Sequence, residues 1–394
     1  MLRGMGRRPG AKSPAPTTRL PLVHLASDRP RGVVAAHLRA GRWQKVGYGT
    51  YLPVDATPDP AAFDARTLAL ARVAGVARRL RAPVVFSHVS AALLWGLPLL
   101  RTPAHVHVMH PSRASARSDG AIVRHTARLD DDDVRSVAGV RVTSLERTLL
   151  DCAAMLAPVA GLVVADAALA AGADPEDVAR RAHDAHRARH AVRMRAVVAY
   201  ADPGAESPYE TVSRFVALRD GLPLPQTQVP VRTHLGTVWS DWGWAEFAVL
   251  AEYDGEGKYR GAESATFMAE KRRHDALQEA GQRVVRVVSA DLGGSALSAR
   301  ILPLLPASVQ RSVRPRPDLL SSTRSRNRRA PNSVPRASRA TAAVHTRATP
   351  GRQAVWRGIG SQARARHSGR TSSRRGADLA QECRTRRGGR ARRA

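Results

Sequence analysis

The chain has 394 residues, enough for two or three domains, and 43% of them are hydrophobic, enough to bury sizeable cores. Its two cysteines, Cys152 and Cys383, stand far apart in unlike surroundings, which argues against a disulfide framework or a zinc knuckle. The net charge of +30 points to an anionic partner, but from residue 307 onward 23 arginines face three acids, a net +20. The first 306 residues, with 40 basic and 30 acidic groups, carry only +10.

Residues 1–20 are a basic, proline-rich leader with no apolar period, expected to be disordered, and nothing in it has the pattern of a secretory signal. A cytoplasmic location is therefore expected. Within residues 21–58, RGVVAAHLRAGRW puts Val33, Val34, His37 and Leu38 at helical spacing before Gly41. WQKVGYGTYLPV then alternates around Gly47 and Gly49 as a tight hairpin does. Helix and hairpin carry Arg39, Arg42 and Lys45 together. Two readings stand: the end of a winged helix that meets DNA, or a structural cap on the next domain.

Residues 59–195 alternate helices and strands as a mixed α/β module. LALARVAGVARRL and HVSAALLWGL predict helices, HVHVMH and AIVRH predict short strands, and Ser144 begins the helix of SLERTLLDCAAM. CAAMLAPVAGLVVADAALAAG, residues 152–172, approaches the length of a membrane span, but it contains Pro158 and Asp166 and is mostly alanine, so it reads as two short buried helices. No membrane partner is expected. His88, His105, His107 and His110 have no metal-ligand spacing and read as core or strand-face residues.

Residues 196–304 read as helix, β-meander, helix, strand: SPYETVSRFVALRDG, then VPVRTHL, VWSDWGW and EFAVLAEYD, then AESATFMAEKRRHDALQEAG and QRVVRVV. Residues 305–394 are rich in Arg, Ser, Pro and Ala without period, so disorder is expected, as a polycationic arm or as an unconstrained extension.

The period of two places Glu252 and Asp254 on one face of their strand, looking outward, with Phe247, Val249 and Tyr253 facing a core. A hairpin with the preceding strand brings Asp241 beside Glu252, and Glu210 lies on the helix before them. Carboxylates gathered within about 5 Å repel by roughly 3 kcal/mol per pair at an effective dielectric near 20, so a cluster needs cations. Mg²⁺ suits such a site, and Lys258 and Lys271 are placed to stabilise charge developing on a phosphate. Ordinary ion pairing at a sheet edge is the competing reading.

ESPYETVSRF, SDWGWAEFAVLAEYDGEGKY and EKRRHDALQEAGQRVVRV closely resemble the very-short-patch-repair-type endonuclease domain of the PD-(D/E)xK superfamily. SHVSAALLWGLPL, HVHVMHP and GVRVTSLERTLLDCA resemble the AbiEi-type antitoxin family over residues 60–190. The first resemblance implies Mg²⁺ held by Glu210, Asp241 and Glu252. The superfamily's lysine belongs two places after Glu252, where this chain has Asp254, leaving Lys258 or Lys271 to serve. Lys271, Arg272 and Arg273 would position a DNA backbone. The second resemblance implies a winged-helix transcriptional repressor with a toxin partner.

The expected fold class is α/β: a degenerate winged helix, a mixed α/β middle domain, an α/β/α restriction-endonuclease-like domain and a disordered basic C-terminal tail. The expected function is Mg²⁺-dependent hydrolysis of DNA phosphodiesters. The alternative is a non-enzymatic DNA-binding repressor or antitoxin with an inactive nuclease-like fold.

Overall fold

The N-terminal helix and hairpin form where the periodicity predicts them. A computed structural model describes residues 18–54, 64–80, 84–111, 120–185, 190–255 and 264–320. Strands β1 (His24–Leu25), β2 (Trp43–Gly47) and β3 (Thr50–Pro53) make an antiparallel sheet in the order β1-β3-β2, with helix α1 (Arg31–Arg39) preceding the hairpin. Val34 of α1 packs on Trp43 and Tyr51. Helix α2 (Ala65–Arg79) then joins two cores: Ala71 and Ala74 meet Val46 and Leu52, while Leu70, Val73 and Val76 meet Phe86 and Val106. Gly75 allows the close approach, because a Cβ there would stand 2.5 Å from the buried side chain of Thr50.

The middle region is built on a mixed five-stranded sheet. Its strands are β4 (Val85–Phe86), β5 (Val106–His110), β6 (Ile122–Thr126), β7 (Val134–Val137) and β8 (Val140–Thr143), in the order β6-β5-β4-β8-β7. Helix α3 (His88–Leu94) follows β4 directly. The apolar run then divides as expected into α4 (Leu145–Met155), whose Ser144 hydroxyl accepts from the Arg147 N–H, and α5 (Pro158–Ala170), opened by Pro158. Helices α6 (Pro175–Asp184) and α7 (Ala191–Ala199) complete a helical core around Leu149, Leu162, Val164 and Val197. Among the described residues no helix is long and apolar enough to cross a membrane.

The C-terminal region runs α8 (Pro208–Arg219), β9 (Gln226–Thr233), β10 (Gly236–Trp244), β11 (Val249–Tyr253), α9 (Ser264–Glu279) and β12 (Arg283–Val287), then α10 (Ala296–Ile301) and α11 (Ala307–Ser312). The sheet order is β12-β11-β10-β9, antiparallel except for β12, which α9 returns parallel to β11. Val216, Ala217, Leu297 and Ile301 cover the face bearing Trp242, Trp244 and Ala251, while Leu277 of α9 covers the face bearing Val229, Val238 and Leu250. Helices thus lie on both faces of the sheet. Residues 305–320, expected to be disordered, are folded: Leu305 and Leu319 are buried, and the Arg316 guanidinium donates to the carbonyls of Leu218 and Leu222. The expected disorder of 1–17 and 321–394 falls outside the described residues.

One buried pair ties the middle region to the C-terminal one. Asp166 of α5 accepts from Arg214 Nη2 at 2.8 Å, Thr211 Oγ1 at 2.8 Å and the Asp202 N–H at 2.9 Å, and Arg214 also donates to the Tyr200 carbonyl at 2.9 Å. Both side chains are almost wholly buried. Burial pushes the Asp166 carboxyl up to about 6, against the pull of Arg214, Asp202 and Thr211. At pH 7 it stays ionised, and removing its charge strands a guanidinium inside the protein. Asp166→Asn is expected to cost about 3–5 kcal/mol in urea unfolding, with Arg214→Gln non-additive in the double variant. A loss below about 1 kcal/mol would show that the pair does not hold these helices together.

Candidate functional site

The β10–β11 hairpin sets Asp241 opposite Glu252, because Trp242 pairs with Ala251. Asp241 Oδ2 accepts from the Tyr253 N–H at 2.7 Å. Glu252 does not look outward as its alternation suggested. Leu250 shares its face, α9 covers that face, and Glu252 is left 4% exposed. Arg273 of α9 reaches it, with Nη2 2.7 Å from Glu252 Oε1 and donating at 2.6 Å to the Trp239 carbonyl. Neither Glu252 oxygen receives an aligned hydrogen bond among the described residues.

Glu270, one turn before Arg273, extends the network. Its Oε1 lies 3.7 Å from Arg273 Nη1 and 3.0 Å from Arg286 Nη1, and Arg286 Nη1 stands 3.6 Å from Asp254 Oδ2. Three carboxylates, Glu252, Glu270 and Asp254, therefore share two guanidinium groups. Burial works against the Arg273 charge, but Glu252, Glu270 and Asp241 outweigh it and raise its pKa. Asp254 is matched by Arg286 from β12. The donor set fits a hard divalent cation, since two oxygen-bearing side chains oppose each other and one lacks hydrogen bonds. Arg273 already brings positive charge to the same point.

Glu210 sits in the first turn of α8, where its N–H donates to Ser207 Oγ at 3.2 Å and its Oε2 accepts from the Glu206 N–H at 2.8 Å. Tyr209 beside it stacks on Tyr253 with ring centres 5.2 Å apart, so this end of α8 lies against the end of β11. Lys271 and Arg272 are exposed, whereas Arg273 turns inward. Lys258 lies outside the described residues. The sequence reading gave Glu270 and Arg286 no part in this site. Period and spacing do not show which helix residue crosses to a strand.

Arg39, Arg42 and Lys45 all stand exposed on α1 and the hairpin. Arg42 Nε donates to His37 Nδ1 at 3.2 Å, and His37 stacks on Trp43 at 4.2 Å, with His24 stacked on Trp43 at 4.4 Å. Aromatic packing therefore fixes the base of the hairpin that presents these cations.

In the middle region, Arg147 joins Asp151 (Nε to Oδ1, 3.0 Å) to Asp133 (Nη1 to Oδ2, 3.1 Å), and Arg181 closes on Asp133 from α6. Burial pushes the Asp151 carboxyl up to about 6 against the pull of Arg147. Beside this network three histidines meet. His107 Nδ1 lies 2.9 Å from His125 Nε2, and His88 stacks on His125 with ring centres 3.6 Å apart. Burial lowers all three, His88 to about 2 and His107 to about 4, so the rings are neutral at pH 7. His88 has φ 52, a left-handed conformation that costs a non-glycine residue on the order of 1–3 kcal/mol. The expected core or strand-face roles omitted His125, and no spacing along the chain joins these three.

Residues 84–199, which run from β4 to α7, match the model of the AbiEi antitoxin C-terminal domain. Two Mycobacterium tuberculosis proteins, uncharacterized protein Rv2248 (strain ATCC 25618 / H37Rv) and uncharacterized protein MT2308 (strain CDC 1551 / Oshkosh), are each 31% identical over 207 residues, covering 52% of this chain and 73% of the relative. The chain belongs to the family of these mycobacterial proteins. Among solved structures, the crystal structure of the RV2827C protein from Mycobacterium tuberculosis matches at 17% identity and a TM-score of 0.31, over 46% of this chain and 73% of that one. A TM-score that low does not define a shared fold.

Arg273→Met is expected to leave Glu252 buried beside Asp241 without its cation and to lower stability by about 3–5 kcal/mol in urea unfolding. Adding Glu252→Gln should recover part of that loss, and an unchanged midpoint for Arg273→Met would refute the compensation.

Proposed function

We propose that this chain is an antitoxin-type regulator of a toxin–antitoxin pair: it binds DNA through the basic N-terminal unit, and a cognate toxin is its protein partner. The AbiEi antitoxin match over residues 84–199 carries this reading. The disposition of charge supports it. Arg39, Arg42 and Lys45 face solvent, where phosphate contacts position a protein on DNA, while the C-terminal carboxylates are turned inward toward Arg273 and Arg286. A cytoplasmic location follows from the same reading.

A second reading, Mg²⁺-dependent cleavage of DNA, is favoured by one observation, Asp241 opposite a Glu252 that lacks hydrogen bonds. Asp241 and Glu252 would hold the ion, with Glu210 in the adjoining helix turn, and the ion would supply Lewis-acid stabilisation of the phosphate. Exposed Lys271 and Arg272 would position the backbone, and Lys258 would serve in place of the lysine that Asp254 displaces.

Gel shifts of the full chain on the DNA upstream of its own gene, with and without Mg²⁺, separate the two readings. The regulator binds this DNA specifically without metal and leaves it intact. Replacing Arg39, Arg42 and Lys45 by alanine should lower the slope of log affinity against log salt by about 2–3. Mg²⁺-dependent nicking of supercoiled plasmid that disappears in Asp241→Ala would instead establish the second reading.

A further inference from the structure

We propose that His88, His107 and His125 form a binding site for a divalent transition-metal ion, zinc being the one expected, with Asp151 orienting His88 from behind. Three separate pieces of chain bring the imidazoles together. Strands β5 and β6 are parallel, and the register His107 with Val123, Met109 with His125 puts both rings on one face of the sheet. His88 is the first residue of α3, where the chain leaves β4, next to β5 in the sheet. One ring nitrogen from each histidine lies within 4.8 Å of the other two. A tetrahedral zinc with Zn–N bonds near 2.0–2.1 Å needs ligand nitrogens about 3.3 Å apart. The closest pair, at 2.9 Å, and the 4.8 Å limit bracket that spacing.

The surroundings suit an ion better than they suit three packed rings. His88 Nδ1 faces Ser87 Oγ at 3.0 Å and Asp151 Oδ2 at 3.8 Å, and Asp151 Oδ2 has no hydrogen-bond partner although it is buried. A carboxylate behind a metal-ligating imidazole takes its N–H, fixes the tautomer and leaves the other nitrogen for the metal. Arg147, bound to Asp151, is also matched by Asp133 and does not leave an excess of positive charge. The left-handed His88 backbone aims the ring at this point rather than along the helix. Imidazole donors without thiolates or an acidic cage select zinc, nickel, copper or cobalt over Mg²⁺ or Ca²⁺. Three protein ligands leave a fourth position, which water fills, because His107 and His125 are only half-buried.

The test uses the full chain, stripped with a chelator and titrated with Zn²⁺ against a competing dye, then with Co²⁺ followed by visible absorption. One tight Zn²⁺ per chain and the intense bands of tetrahedral Co²⁺ are expected. His125→Ala, on the edge strand β6 and least part of the core, should weaken Zn²⁺ at least 100-fold and abolish those bands while the metal-free chain keeps its melting temperature. Asp151→Asn should weaken Zn²⁺ roughly 10–100-fold at unchanged stoichiometry. If His125→Ala loses its fold, His107→Gln and His88→Asn give the same reading, and circular dichroism identifies which variants are folded. Unaltered Zn²⁺ affinity in any folded histidine variant, or six-coordinate Co²⁺ spectra from the wild type, overturns the proposal.

Discussion

The contact between Asp166 and Arg214 governs how the two halves of this protein meet. Neither group can leave the interior without its partner, because an isolated buried charge costs far more than the pair gains from mutual attraction. Their pairing, with Thr211, Asp202 and Tyr200, fixes α8 against α5 along its length. Phe215 and Leu218 of that helix pack into the helical core of the middle region, while Val216 and Ala217 cover the C-terminal sheet. A single helix therefore serves two cores, and the sheet carrying Asp241 and Glu252 is positioned by residues of the antitoxin-like domain.

That shared helix also decides which side of the C-terminal sheet faces its acids. With α8 and α10 on the tryptophan face, α9 covers the other among the described residues, and it brings Glu270 and Arg273 with it. Glu252 is buried beneath a guanidinium, Asp254 meets Arg286 from the neighbouring parallel strand, and Asp241 is fastened to a backbone N–H. Around this sheet the acids meet arginines of the same chain.

The sequence made the local elements legible because their signals are local. Ser144 caps the helix it was read to begin, Pro158 opens α5, and Gly41 and Gly49 lie in the left-handed region beside α1 and in the hairpin. The opposition of Asp241 and Glu252 was also legible, since an antiparallel hairpin sets its own register. Parallel pairing has no such signature. The meeting of β5 with β6 and of β11 with β12 depends on crossover connections, and so the contact of His107 with His125 and the approach of Arg286 to Asp254 were hidden. Burial of Glu252 was hidden for the same reason: a period of two identifies a face but not what covers it. The folded segment 305–320 was missed because Leu305, Leu319 and Arg316 act singly, through contacts with α8 and its neighbours, and leave no period.

Where the cations can reach a partner now bears on function more strongly than how many there are. The arginines nearest the acidic cluster are spent on carboxylates of the same chain, and one of them is half-buried, so they contribute little field at the surface. The cations on α1 and its hairpin have no such partner acids beside them in the described contacts: Arg42 bonds a histidine, and the hairpin they ride on is stiffened by the His24–Trp43–His37 stack. The proposed regulator depends on exposed charge to steer it toward DNA, and Arg39, Arg42 and Lys45 present that charge beside the middle region.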